Sequence, residues 1–188
     1  MMIRSRAPRY CTMRLMLFFS GILFIHENLV ALPQNRQILE EGIAMARRGD
    51  PVGAEAKFRE VLSREDNDEA RYRLAQSLLL RPAPKLSDLE EAGRLLSHSI
   101  GIIEKIYAPV NTDDLRTRRP PVVPLAHRYL YLSLARWGLE DRIGALNALN
   151  RAAYWYPEFK EAQYNRACLL VELGKDAEAD LIFRRLKR

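Results

Sequence analysis

Apolar positions recur at threes and fours through most of the chain, and the pattern is most regular toward its far end. Tyr164-Asn165-Arg166-Ala167-Cys168-Leu169-Leu170-Val171-Glu172-Leu173-Gly174 predicts one helix with a glycine stop. Ala177 to Leu186 predicts a second, with Ala179 and Phe183 on one face. The same helix-turn-helix pattern lies 34 residues earlier, over the stretch that begins at Ala126, so 126–186 holds two copies. No strand signal longer than four residues interrupts the helical period from Leu32 onward, which puts the chain in the all-α class.

The earlier helices read in order. Ile38, Leu39, Gly42, Ile43 and Met45 mark the first, which stops at Gly49. Asp50-Pro51 starts the second, since aspartate can cap free amides and proline loses no hydrogen bond in a first turn; Ala54, Phe58, Val61 and Leu62 face inward. Asn67 caps the third, with Tyr72, Leu74, Ala75, Leu78 and Leu79 inside, until Arg81-Pro82-Ala83-Pro84 breaks it. Ser87-Asp88-Leu89-Glu90 has the form of a capping box at the start of the fourth, which carries Leu89, Ala92, Leu96, Ile100 and Ile103 toward Tyr107. From Ala108 to Val123 the period is lost, and Pro109, Asp113, Asp114 and Arg116-Thr117-Arg118-Arg119-Pro120-Pro121 predict a surface loop inserted between helices. The fifth helix begins after Pro124 and ends at Gly138, and the sixth holds Ala145, Leu149 and Ala152 and closes near Pro157.

Small residues recur in pairs across neighbouring helices: Gly42 with Ala54, Ser133 with Ala145 and Ala167 with Ala179, each 12 apart, and Ala75 with Ala92, which are 17 apart. Four residues beyond the second small residue stands Phe58, Leu96, Leu149 or Phe183 in turn. Close antiparallel packing needs such a small pair, with a bulky neighbour filling the gap beside it. On these residues the chain from about Gln34 to Arg188 resembles the tetratricopeptide repeat family. The resemblance is strongest in the last unit and weakest in the second, which departs at Arg81 to Lys85. It implies an all-α, right-handed superhelical stack of about four helix-turn-helix units that binds other proteins, with 32–188 as one domain carrying an insertion at 108–123.

Composition adds a leader. Arg4, Arg6, Arg9 and Arg14 precede an apolar run from Leu15 to Ile25, a polar His26-Glu27-Asn28 and then Leu29-Val30-Ala31, the three parts of a secretory signal over 1–31. The run of 11 residues is shorter than the roughly 20 of a membrane span. Export to the periplasm or the cell exterior is therefore expected, with a short anchor at 15–25 as the alternative if the segment is retained. Of the formal charge of +6, half sits in that leader, and the rest is ordinary for a protein in solution. Basic residues concentrate only at Arg116 to Arg119 and Arg184 to Arg188; a cytoplasmic helical protein binding nucleic acid through them is the competing reading from another class.

Catalytic chemistry finds no foothold in this sequence. His26, His98 and His127 form no metal-binding pair, His98 is expected at the edge of a buried helix face, and Cys168 among Ala167, Leu169 and Leu170 reads as a small buried hydrophobe. Phosphate-binding glycine loops and serine elbows are absent, so neither an enzyme nor a cofactor or metal site is expected. The resemblance implies a concave groove lined by the first helix of each unit: Arg36, Leu39 and Ile43; Glu69, Tyr72 and Gln76; His127, Leu130, Leu134 and Trp137; Glu161, Tyr164 and Cys168. Within it Tyr72, Gln76, Leu130, Leu134, Trp137, Tyr164 and Asn165 are the candidate partner-binding residues, and an apolar or helical segment of a protein is the expected ligand. Arrays of this kind usually end in an additional covering helix. None follows the last unit here, so Ile182 and Leu186 are expected to be bare and open to a partner or a second copy.

Overall fold

The computed structural model describes residues 34–106 and 122–187. The expected signal at 1–31 and most of the expected insertion at 108–123 lie outside the described residues. Eight helices are present among the described residues, and no strand: α1 (34–47), α2 (Pro51–Arg64), α3 (Asp68–Leu79), α4 (Leu86–Ile106), α5 (Val122–Gly138), α6 (Arg142–Trp155), α7 (Lys160–Glu172) and α8 (Asp176–Leu186). From α2 onward each helix packs on the next, and α3 also touches α5. None of the described helices is long and apolar enough to cross a membrane.

Three helix starts follow from side-chain caps. Asp50 Oδ1 accepts the Gly53 amide at 2.9 Å, Asn67 Oδ1 accepts that of Ala70 at 2.9 Å, and Asp141 Oδ1 accepts that of Gly144 at 2.8 Å. Each such cap is worth about 1 kcal/mol. The fourth helix departs from expectation. It begins at Leu86, ahead of the Ser87 to Glu90 box, because Asp88 Oδ2 accepts the Lys85 amide at 2.9 Å and the Arg81 guanidinium at 2.9 Å. The Lys85 amide is the main cause that holds the Asp88 carboxyl below its ordinary range. Arg81 also bonds Glu55 of α2, so the five-residue departure of the second unit is anchored by charge. Similarly, α5 starts at Val122, and Pro124 is accommodated in its first turn, where no intrahelical amide is required.

Turns inside the units repeat as well. Gly49, Glu140 and Gly174 hold the same place in the first, third and fourth units, and all three are left-handed, with φ of 83°, 62° and 73°. Gly138 is therefore the last residue of α5 rather than its turn. Its lack of a side chain serves packing, since a Cβ there would lie 2.8 Å from Leu89 Cδ1.

The small pairs do what close packing asks of them. Gly42 is buried, and a Cβ on it would fall 2.7 Å from Phe58 Cε1, so even alanine there is overpacked by about 1–3 kcal/mol. Ala54, Ala75, Ala92, Ser133, Ala145, Ala167 and Ala179 are all buried, and apolar side chains from α1 to α8 form one continuous core. His98 does not join it; the residue is exposed on α4, on the outward side between buried Leu96 and buried Ser99.

Candidate partner-binding groove

The first helix of each unit, α1, α3, α5 and α7, supplies the candidate groove, and its two later junctions differ. Between α3 and α5 the space is filled. The Tyr72 and Tyr131 rings meet edge to face at 5.9 Å, and the Arg128 guanidinium lies 4.5 Å from the Tyr72 centroid. Arg128 is buried and spends its donors on Ser99 Oγ at 2.6 Å, the Pro124 carbonyl at 3.2 Å and Asp68 Oδ2 at 2.8 Å. The Gln76 amide donates to Tyr131 Oη at 2.6 Å. Burial, reinforced by Tyr131 alongside, pushes the Tyr72 hydroxyl up to about 12.

Between α5 and α7 the space is open. A cleft of 230 Å³ has Ser133, Ala145, Leu149 and Leu169 among its lining, with Leu134, Trp137, Asn165 and Cys168 beside them and Glu172 at its end. The Ser133 hydroxyl donates to the Leu130 carbonyl at 2.6 Å, so this polar group in the lining is already satisfied. Trp137 is held where it is. Its Nε1 donates to Glu172 Oε2 at 3.2 Å, and Arg142 stacks 5.2 Å from its centroid while donating to its carbonyl at 2.6 Å. Arg142 also reaches Glu172 at 3.3 Å, which closes a three-residue clasp across α5, α6 and α7.

The expected contact residues therefore divide. Leu134, Trp137 and Asn165 line the cleft together, with Cys168 on the same wall. Tyr164 is 56% exposed and sits edge-on to Phe183 of α8 at 6.0 Å. Tyr72 and Leu130, by contrast, are buried, Tyr72 beneath Tyr131 and Arg128 of the next unit, and Gln76 is engaged by Tyr131. His127 meets the Phe159 ring at a tilt, with centroids 4.5 Å apart, and burial there lowers its imidazole below the ordinary value.

Arg128, Tyr131, Arg142 and Glu172 are the residues that sequence reasoning missed. A signal existed for the first: five residues before the small residue stands Ala70 in the second unit and Ala162 in the fourth, so an arginine at 128 is out of pattern. The pairing of Glu172 with Trp137 has no such signal, since an exposed glutamate at a helix end is commonplace.

Architecture and groove together define the class, an all-α, right-handed superhelical stack of about four tetratricopeptide-like units. No protein-family model matches the chain, and no curated protein matches it in sequence. Solved structures do match in fold. A crystal structure of MamA, a tetratricopeptide-like helical repeat protein, aligns with a TM-score of 0.62 at 17% identity, covering 97% of this chain and 94% of that one. A second MamA crystal structure aligns with a TM-score of 0.61 at 18% identity, covering 92% of this chain and 83% of the other. At these identities the likeness is one of fold.

Proposed function

We propose that the chain is a non-enzymatic scaffold that holds a partner protein, and that an apolar or helical segment of that partner docks on the concave side at the α5/α7 cleft. The observation that carries this reading is the 230 Å³ opening beside Leu134, Trp137 and Cys168, an apolar recess large enough for one aromatic or branched side chain. A cavity of about 150 Å³ already accepts benzene. Trp137 and Tyr164, 48% and 56% exposed, are the aromatic anchors within reach of the segment. The leader at 1–31 supports export, with the partner met in the periplasm or outside the cell. N-terminal sequencing of the exported protein distinguishes this from a membrane-tethered assembly factor that keeps residues 15–25.

The test compares the unmodified chain with Trp137→Ala and Tyr164→Ala in affinity capture from the native compartment. Each variant should lose less than about 1 kcal/mol of stability, because the side chains are half exposed. Capture should fall at least about tenfold. A collapse of the melting temperature in step with capture, or undiminished capture, would sink the groove reading.

A further inference from the structure

A second and larger concavity, of 730 Å³, is lined only by α7, α8 and the turn before α7: Pro157 and Glu158 from the turn, Lys160, Gln163 and Arg166 from α7, and Glu178, Leu181, Ile182, Arg185 and Leu186 from α8. Its apolar part is not the one expected from sequence. Ile182 is 8% exposed and belongs to the core, Leu186 is half-buried, and Leu181 stands out at 59%. We propose that this groove docks an amphipathic helix of a partner protein that carries acidic residues beside its apolar stripe.

The shape argument comes from inside the molecule. The groove between α3 and α4 is the counterpart of this one in an earlier unit, and it is occupied by a helix, α5, which packs on both. Two antiparallel helices present ridges and grooves that a third helix fills. The volume fits this occupant too, since 730 Å³ holds several side chains where about 150 Å³ holds one ring.

Charge then selects the chemistry. In the α3/α4 groove the first position of α3 is Asp68, and the helix that fills the groove brings Arg128 to it at 2.8 Å. In the α7/α8 groove that position is Lys160, and Arg166 stands where α3 has Leu74, so the sign is reversed. Lys160, Arg166 and Arg185 take part in no ion pair among the described residues. Arg166 is the most telling: its Nε is buried with no hydrogen-bond partner, and its Nη1 has only a 3.5 Å contact to Gln163 Oε1. A buried guanidinium N–H left unmade is costly, and a carboxylate matches its fork geometry. Glu158 and Glu178, also on the rim, favour a partner helix with a few well-placed acids over a uniformly anionic one.

The experiment uses the full chain and two synthetic helices of about four turns with the same leucine stripe, one flanked by glutamates and the other by lysines, followed by fluorescence anisotropy. The glutamate helix should bind saturably and at least about tenfold tighter than the lysine helix. Arg166→Gln should weaken it about tenfold, Leu181→Glu should abolish it, and Trp137→Ala should leave it unchanged. Circular dichroism checks each variant; if Arg166→Gln does not fold, Lys160→Glu on the exposed rim carries the charge comparison. Equal binding of the two helices overturns the proposal. So does indifference to Leu181→Glu, loss through Trp137→Ala, or a dimer in light scattering that Leu181→Glu dissolves, which would make a second copy the occupant. Because Trp137→Ala addresses the concave cleft and Leu181→Glu this groove, failure of one reading is separable from failure of the other.

Discussion

At the α3/α5 junction Tyr72, Arg128 and Tyr131 fill the concave side of the stack, whereas at the α5/α7 junction the corresponding positions hold Leu130, Ala162 and Asn165 and a cleft of 230 Å³ remains. The helices follow suit: α3 packs directly on α5, while α5 and α7 share no comparable contact. Both junctions nonetheless keep the same small pairs and bulky neighbours in their cores. Groove depth in this chain is thus set by side-chain volume at three positions of the repeat, independently of the packing that holds each unit together. One junction is packed shut and the other stays open.

The largest effect that can test this division is at Arg128. Replacing it with methionine leaves Ser99 Oγ, the Pro124 carbonyl and Asp68 without their donor, and Asp68 Oδ1 already has no partner. Urea denaturation of Arg128→Met should show a loss of about 3 kcal/mol. A loss under about 1 kcal/mol would mean that the closed junction is not a stability element. Next in size is a pH effect. The Tyr72 hydroxyl, raised by burial from its ordinary 10 to about 12, favours the protonated folded state. The stability it contributes is fully present below pH 10 and is lost as pH rises through 12, on the order of 2 kcal/mol. Tyr72→Phe should flatten that part of the alkaline profile. Tyr129, whose hydroxyl burial also raises, remains in both proteins as background.

The repeat, its small pairs and most helix caps were legible in the sequence because each depends on local spacing: Asp50 and Asn67 cap where expected, and Gly42 abuts Phe58 where expected. The division of the groove was less legible. Tyr72 and Trp137 look alike on a helical wheel, and only the side chain contributed by the next unit decides which is covered. Tyr131 and Arg128 cover the first, while Asn165 leaves the second open. Gly138 ends its helix where expected, though for a packing reason. Glycine marks a turn only where backbone must be left-handed, and here that residue is Glu140, with Gly138 yielding to Leu89.

The smallest expected effect tests the three-position rule in reverse. Asn165 occupies the place of Tyr131, so Asn165→Tyr should put a ring into the α5/α7 cleft. The opening exceeds the room a benzene ring needs, so the ring enters without strain and buries its apolar face. Closure stays incomplete, because Ala162 stands where the α3/α5 junction has Arg128, and no guanidinium caps the new ring. The gain should therefore be modest, about 0.5–1 kcal/mol in urea denaturation, well short of what one fully buried aromatic contributes. Capture of the partner should nevertheless fall at least about tenfold, since the ring occupies the recess from within. A variant that is more stable and binds less would tie groove depth to side-chain volume alone. A destabilisation beyond about 1 kcal/mol would show that α5 and α7 are spaced by something other than the residues between them.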